Sequence, residues 1–143
     1  MVIETASIDD CEVLSGIAWR GKAYWGYASA QLASWREDLT ITQDYVMQND
    51  VCKLVDKGAV IGFFSLEVLD QETVKIGFLF LEPKFIGQEH GKMLMRKITD
   101  VCVHASVKRI MVDADPNAKG FYEHFGFVQY AQMASLIPNR FLP

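Results

Sequence analysis

Gly87 and Gly91 stand four residues apart where an extended apolar run, Ile76 to Leu81, gives way to Met93, Leu94, Ile98 and Val101 at helical spacing. Glycines at such a junction let another molecule approach the main chain. The first helical turn also presents unpaired N–H groups, with the positive end of the helix dipole behind them. The chemistry this suits is anion binding, of phosphates above all. Lys84, Lys92, Arg96 and Lys97 outnumber Glu82 and Glu89 here, in a chain of formal net charge −4. The same residues also read as an ordinary capped helix behind a glycine loop.

Two nucleotide-binding patterns are excluded. Gly87 and Gly91-Lys92-Met93 have neither the spacing nor the hydroxyl of G-x-x-x-x-G-K-[ST], and there is no G-x-G-x-x-G. The strand before the loop also comes late, after other strands, whereas a dinucleotide fold carries its fingerprint in the first turn.

The elements that must position this loop follow from periodicity. Val2 to Ala6 reads as a short strand, and Ser7 caps a helix with Asp9 and Asp10 in its first turn and a stripe of Cys11, Val13, Leu14, Ile17 and Ala18. That helix ends in the aromatic cluster Tyr24-Trp25-Gly26-Tyr27. A second helix after Ser29 carries Leu32, Trp35 and Leu39, and Thr42 caps a further turn. Strands are predicted at Val51 to Val55, Val60 to Leu69 and Thr73 to Leu81, an antiparallel meander with a hairpin at Asp56-Lys57-Gly58. The central helix runs to about Ala105, a strand follows at Lys108 to Ala114, and the helix between makes this strand parallel to Thr73–Leu81. A short helix, Ala118 to His124, precedes a last long strand, Phe127 to Leu136. Parallel neighbours joined by a helix leave a crevice at their C-terminal ends.

Composition bounds the rest. A chain of 143 residues, 50% hydrophobic and 12% aromatic, fits one globular domain. Its acidic balance argues against nucleic acid as a partner. The N-terminal residues lack the pattern of a signal peptide, and no run is long and apolar enough to cross a membrane. Cys11, Cys52 and Cys102 fit scattered thiols in a reducing cytoplasm, and His90, His104 and His124 show no ligand spacing, so no metal is expected.

Two segments together resemble the GCN5-related N-acetyltransferase (GNAT) superfamily. The loop-helix stretch resembles that family's Q/R-x-x-G-x-G/A segment, with Ile86 standing where the family has Gln or Arg and Glu89 where it has the central glycine. The stretch DADPNAKGFYEHFGF, Asp113 to Phe127, resembles its N-x-x-A/G-x-x-F-Y-x-x-x-G-F helix at Asn117, Gly120, Phe121, Tyr122, Gly126 and Phe127. The resemblance implies a single N-acetyltransferase domain over residues 1–143 with an α/β (α+β) fold. The sheet would be mixed and mostly antiparallel, with helices on both faces and a splayed parallel strand pair.

It also implies acetyl-CoA as cofactor and a primary amine of a small molecule or peptide as acceptor. Main-chain groups at Phe80 and Leu81 would hold the pantetheine arm and acetyl oxygen. Gly87, Gln88, Glu89, His90, Gly91 and Lys92 would hold the pyrophosphate, with Asn117 and Phe121 beside the arm. Tyr122 would be the general acid, since a phenol of reference pKa about 10 stays protonated at neutral pH and matches a thiol leaving group. By residue type alone Phe121, Phe125 and Phe127 read as core aromatics, and Asn117 reads equally as a helix cap.

Glu67 is the candidate general base, ahead of Asp113 and Glu72, though each is also the kind of carboxylate found on solvated surfaces. Tyr24, Trp25 and Tyr27, then Ser135 and Arg140, are candidates for the acceptor pocket. Aromatic rings grip ammonium groups through cation–π contact, and equally cover a sheet as core. The apolar tail also suits a strand partner in a homodimer. A non-catalytic acyl-CoA-binding or sensing module on the same fold is the alternative.

Overall fold

The computed structural model describes residues 1–131 and 140–142. Strand β1 (Val2–Thr5) leads through one 3-10 turn, Ile8–Asp10, into α1 (Cys11–Ala23). Ser7 and Asp10 cap that turn reciprocally, the Asp10 carboxylate accepting from the Ser7 N–H at 2.8 Å. Next come α2 (Ser29–Ser34) and α3 (Gln43–Gln48), and the Thr42 hydroxyl caps α3 by accepting from the Tyr45 N–H. The sequence extends the second helix to Leu39, but α2 stops at Ser34, with Trp35 as its C-cap.

The meander is β2 (Asp50–Asp56), β3 (Ala59–Val68) and β4 (Thr73–Leu81). Lys57 and Gly58 both take positive φ at the β2–β3 turn, the geometry that matches the twist of a two-residue hairpin. Helix α4 (His90–His104) crosses to β5 (Arg109–Asp113), followed by α5 (Lys119–His124), β6 (Val128–Ala131) and β7 (Arg140–Leu142).

The seven described strands form one sheet in the order β1-β2-β3-β4-β5-β7-β6, antiparallel except for β4 with β5. Of the last strand predicted at Phe127 to Leu136, β6 covers Val128–Ala131, and the remainder lies outside the described residues, as does most of the tail considered as a strand partner. Arg140–Leu142 pairs between β5 and β6.

Helices cover both faces because successive strand residues alternate between them. Phe64, Leu66 and Ile76 pack under Leu94 and Ile98 of α4, while Phe63 and Val51 pack under Leu14 and Ile17 of α1. Burying each such side chain fully contributes about 1.5–3 kcal/mol relative to leaving it in water.

Two irregularities open the sheet between β4 and β5. Their parallel pairing runs from Thr73/Arg109 to Ile76/Val112 and ends there, although β4 continues to Leu81. At the same level β3 and β4 slip register, with Ser65 opposite Phe78 and Leu66 opposite Ile76, so Gly77 is the extra residue of a bulge. The bulge bends β4 away where its neighbour stops pairing.

Candidate active site

Between the parted ends of β4 and β5 lies a cavity of about 270 Å³. β4 lines it from Ile76 to Leu81, β5 and the residues after it from Val112 to Asp115, and α1 at Gly21, Lys22 and Trp25. Ile86 and Gly91 close one end; Asn117, Ala118, Phe121 and Tyr122 supply another wall. The crevice expected from topology is therefore present, and Gly91 and Tyr122, from the two motif-bearing segments, meet at it.

Tyr122 is buried on α5, edge-on to Phe121 and Phe127. Its hydroxyl makes no hydrogen bond with a described residue, and burial, then the nearby Asp115 charge, pushes its pKa upward. The group is held as a neutral phenol on the cavity wall. Phe121 lines the cavity as well, and its ring edge would lie 3.1 Å from a Cβ added at Gly91. The glycine at the start of α4 thus has a packing reason the sequence did not reveal: it lets α5 sit close to the helix terminus.

Phe80 and Leu81 line the cavity, and Gly21 of α1 abuts both. Of the loop-helix residues, only Ile86 and Gly91 reach it; Gly87, Gln88, Glu89, His90 and Lys92 lie beyond its end. Glu89 is the N-cap of α4, exposed and 3.5 Å from Lys92, and the Gln88 side chain donates to the Lys84 carbonyl. Glu82, which precedes this loop, is neutralised by a two-point contact with Arg20 at 2.8 Å. At the helix start the His90 Nδ1 atom is buried with no partner among the described residues.

Lys22 and Asp115 were missed by sequence reasoning because 93 positions separate them. Their side chains meet at 2.6 Å, both mostly buried. Tyr27 donates to the same carboxylate oxygen, and the Asn117 N–H and side-chain amide donate to the other. Burial alone would raise the Asp115 pKa, but Lys22, the Asn117 amide and Tyr27 outweigh it and hold the carboxyl below its ordinary value. Burial, then the Asp115 contact, pushes the Tyr27 phenol to about 12. Asn117 also donates to Tyr27, so the residue expected to cap a helix or hold a cofactor spends its amide on this cluster.

Trp25 lines the cavity, whereas Tyr24 stacks edge-on against Trp25 and lies outside the lining. Tyr27 packs against Trp35, and the Lys22 ammonium sits 4.8 Å over the Trp35 ring. Arg140 lies in β7 with its backbone opposite Asp113, and Ser135 lies outside the described residues.

Glu67, the candidate base, is on β3 and does not line the cavity directly. It lies behind Gly77, which does line it: a Cβ at Gly77 would collide with Glu67 Oε2, the Tyr45 hydroxyl and Ser65 Oγ. Glu72 stands at the far end of β4, bound to Lys108, and Asp113 pairs with Lys75.

The family model described as the acetyltransferase (GNAT) domain matches residues 13–134. The chain belongs to that family.

An uncharacterized N-acetyltransferase, ycf52, of Gracilaria tenuistipitata var. liui is 33% identical over 72 residues, covering 50% of this chain and 40% of that protein. The match therefore spans less than half of that relative. The fold is similar to that of the PaiA N-acetyltransferase from Thermoplasma acidophilum in complex with coenzyme A. There the TM-score is 0.80 at 18% identity over 99% of this chain and 98% of that one. A GCN5-related N-acetyltransferase structure from Rhodopseudomonas palustris gives 0.77 at 16% identity over 99% and 92%.

Proposed function

We propose that this protein is an acetyl-CoA-dependent N-acetyltransferase acting on a primary amine of a small molecule or peptide by direct transfer. The observation that carries the reading is the cavity between β4 and β5, with a phenol that bonds to no described residue on one wall and a carboxylate behind a glycine on the other. Three features fit the cofactor. They are an apolar slot along Phe80, Leu81 and Phe121, the N-terminus of α4 at its end, and an orphaned His90 Nδ1 at that terminus.

When bound, acetyl-CoA supplies a thioester whose acyl carbon is the electrophile. Main-chain groups of β4 at Phe80 and Leu81, beyond the end of the pairing with β5, would hold the acyl arm. The first turn of α4, from Glu89 to Lys92, would hold the diphosphate through its N–H groups. Glu67 takes the acceptor's proton directly or through a water. Tyr122, kept neutral by burial, would give a proton to the departing sulfur. Trp25 would form the acceptor side of the opening, where an aromatic face suits an ammonium-bearing molecule, with Tyr27 behind it on Trp35 and Asp115.

Calorimetric titration with acetyl-CoA, followed by a thiol-release assay over a panel of amines, tests this. Binding together with release from at least one amine is expected. No heat and no thermal shift at millimolar cofactor would reject it, and binding without release from any amine would leave a cofactor-binding module.

A further inference from the structure

Behind the bulge, three polar side chains form a cluster. Ser65 is fully buried, and its hydroxyl accepts the Phe78 N–H at 2.9 Å, the amide that follows the extra residue Gly77. The Tyr45 hydroxyl lies 2.7 Å from the Ser65 hydroxyl and donates to Glu67 Oε2 at 2.5 Å. Tyr45 comes from α3, which the Thr42 cap fixes in place, and its ring stands edge-on to Phe78 at 5.3 Å.

One phenol therefore ties a helix to both residues that matter at the opening. Through Ser65 it reaches the backbone of the bulge that parts β4 from β5. Through Glu67 it fixes the carboxylate against Gly77, leaving Oε1 without a partner among the described residues.

We propose that Tyr45 is a positioning residue for acyl transfer, holding the Glu67 carboxylate aimed across Gly77 at the acceptor amine while bracing the bulge through Ser65. This rests on the acetyltransferase reading. The step it serves is a proton transfer: the acceptor ammonium gives its proton to Glu67 Oε1 and becomes the neutral amine that can attack, and the carboxylic acid later returns that proton to water. The titratable groups facing Glu67 are Tyr45 from α3 and Lys75 directly opposite on β4, which is itself held by Asp113 of β5. Burial and the Glu67 contact raise the Tyr45 pKa, so it remains a donor throughout the working range.

Without the phenol the carboxylate loses the contact that fixes its direction, and a misaimed base slows only the step it serves. In Tyr45→Phe kcat should fall about tenfold while KM for the amine stays nearly constant. Acetyl-CoA affinity by calorimetry should stay within about twofold, because the ring still packs on Phe78. Glu67→Gln should lower kcat further still.

An unchanged kcat in Tyr45→Phe, with an active wild type, overturns this assignment alone; so does full activity in Glu67→Gln. A wild type that binds acetyl-CoA but turns over no amine overturns the acetyltransferase reading, and this proposal with it.

Discussion

The ammonium of Lys22, on α1, lies 2.6 Å from the carboxylate of Asp115, which follows β5, and this one contact joins two walls of the same cavity. Both side chains are mostly withdrawn from water, so losing one partner strands a charge that burial has already made expensive. Asp115→Ala should cost about 3 kcal/mol and lower Tm by about 10 °C. Lys22→Met combined with Asp115→Leu should cost less than the sum of the two single changes, because neither charge is then left alone. Thermal unfolding of all four proteins measures the coupling; strict additivity would mean that the contact contributes nothing.

The same pair predicts how stability responds to acid. The Asp115 carboxyl is held below its ordinary 3.8 in the folded chain. The folded state thus resists protonation more than the unfolded state does. Stability from this group is fully present above the unfolded value and is lost as pH falls through the folded one. The free-energy gap between wild type and Asp115→Asn should therefore be flat from pH 7 to about 5 and narrow below about 4, as read from urea unfolding at each pH. A gap that widens on acidification would contradict the assigned direction.

Gly77 is constrained by sterics. A methyl group there meets three polar atoms of Glu67, Tyr45 and Ser65 closer than any real Cβ contact, whereas at Gly91 it meets one ring edge at 3.1 Å. Gly77→Ala should destabilise the fold by about 1–3 kcal/mol, the range for overpacking, and Gly91→Ala by less. Denaturant midpoints rank the two, and equal values would mean that the trio relaxes freely.

Legibility in the sequence divides along physical lines. Helix α4 and the meander announce themselves because their apolar periods are local, and the Thr42 and Ser7 caps are read from residue type at a helix start. The site segments at Gly91 and Tyr122 were visible as motifs, and they do meet at one cavity. The bulge at Gly77 was not visible, because a bulge is a property of register between two strands and Gly77 alone gives no sign of it. The Lys22–Asp115 contact and the Tyr45 cluster join positions far apart in the chain, which no spacing rule reaches. Strand β7 was missed because Arg140-Phe141-Leu142 is too short for a period and has Pro138 and Pro143 near its ends.

Glu89 stands at the N-cap of α4 with its side chain mostly exposed, where a bound diphosphate would sit. A carboxylate there favours the helix dipole and repels the ligand, and the ligand effect dominates once two phosphates arrive. Glu89→Gln should tighten CoA binding about threefold at low salt, with less gain at high ionic strength. Calorimetry at two salt concentrations tests it, and weaker binding in Glu89→Gln would mean that the carboxylate holds the loop rather than opposing the ligand.

Tyr122 separates chemistry from folding more cleanly than any other residue at the site. Its ring is buried among Phe121 and Phe127, but its hydroxyl bonds to no described residue, so removing the oxygen alone should leave packing intact. Tyr122→Phe should keep Tm within about 2 °C, since no hydrogen bond is lost. If the phenol protonates the leaving sulfur, the same change should lower kcat about 10²- to 10³-fold with KM nearly constant, the signature of an interaction made only in the transition state. Side-by-side thermal unfolding and thiol-release kinetics separate the cases: a stable variant with unchanged kcat would assign the tyrosine to the core and send the search for a proton donor elsewhere in the cavity.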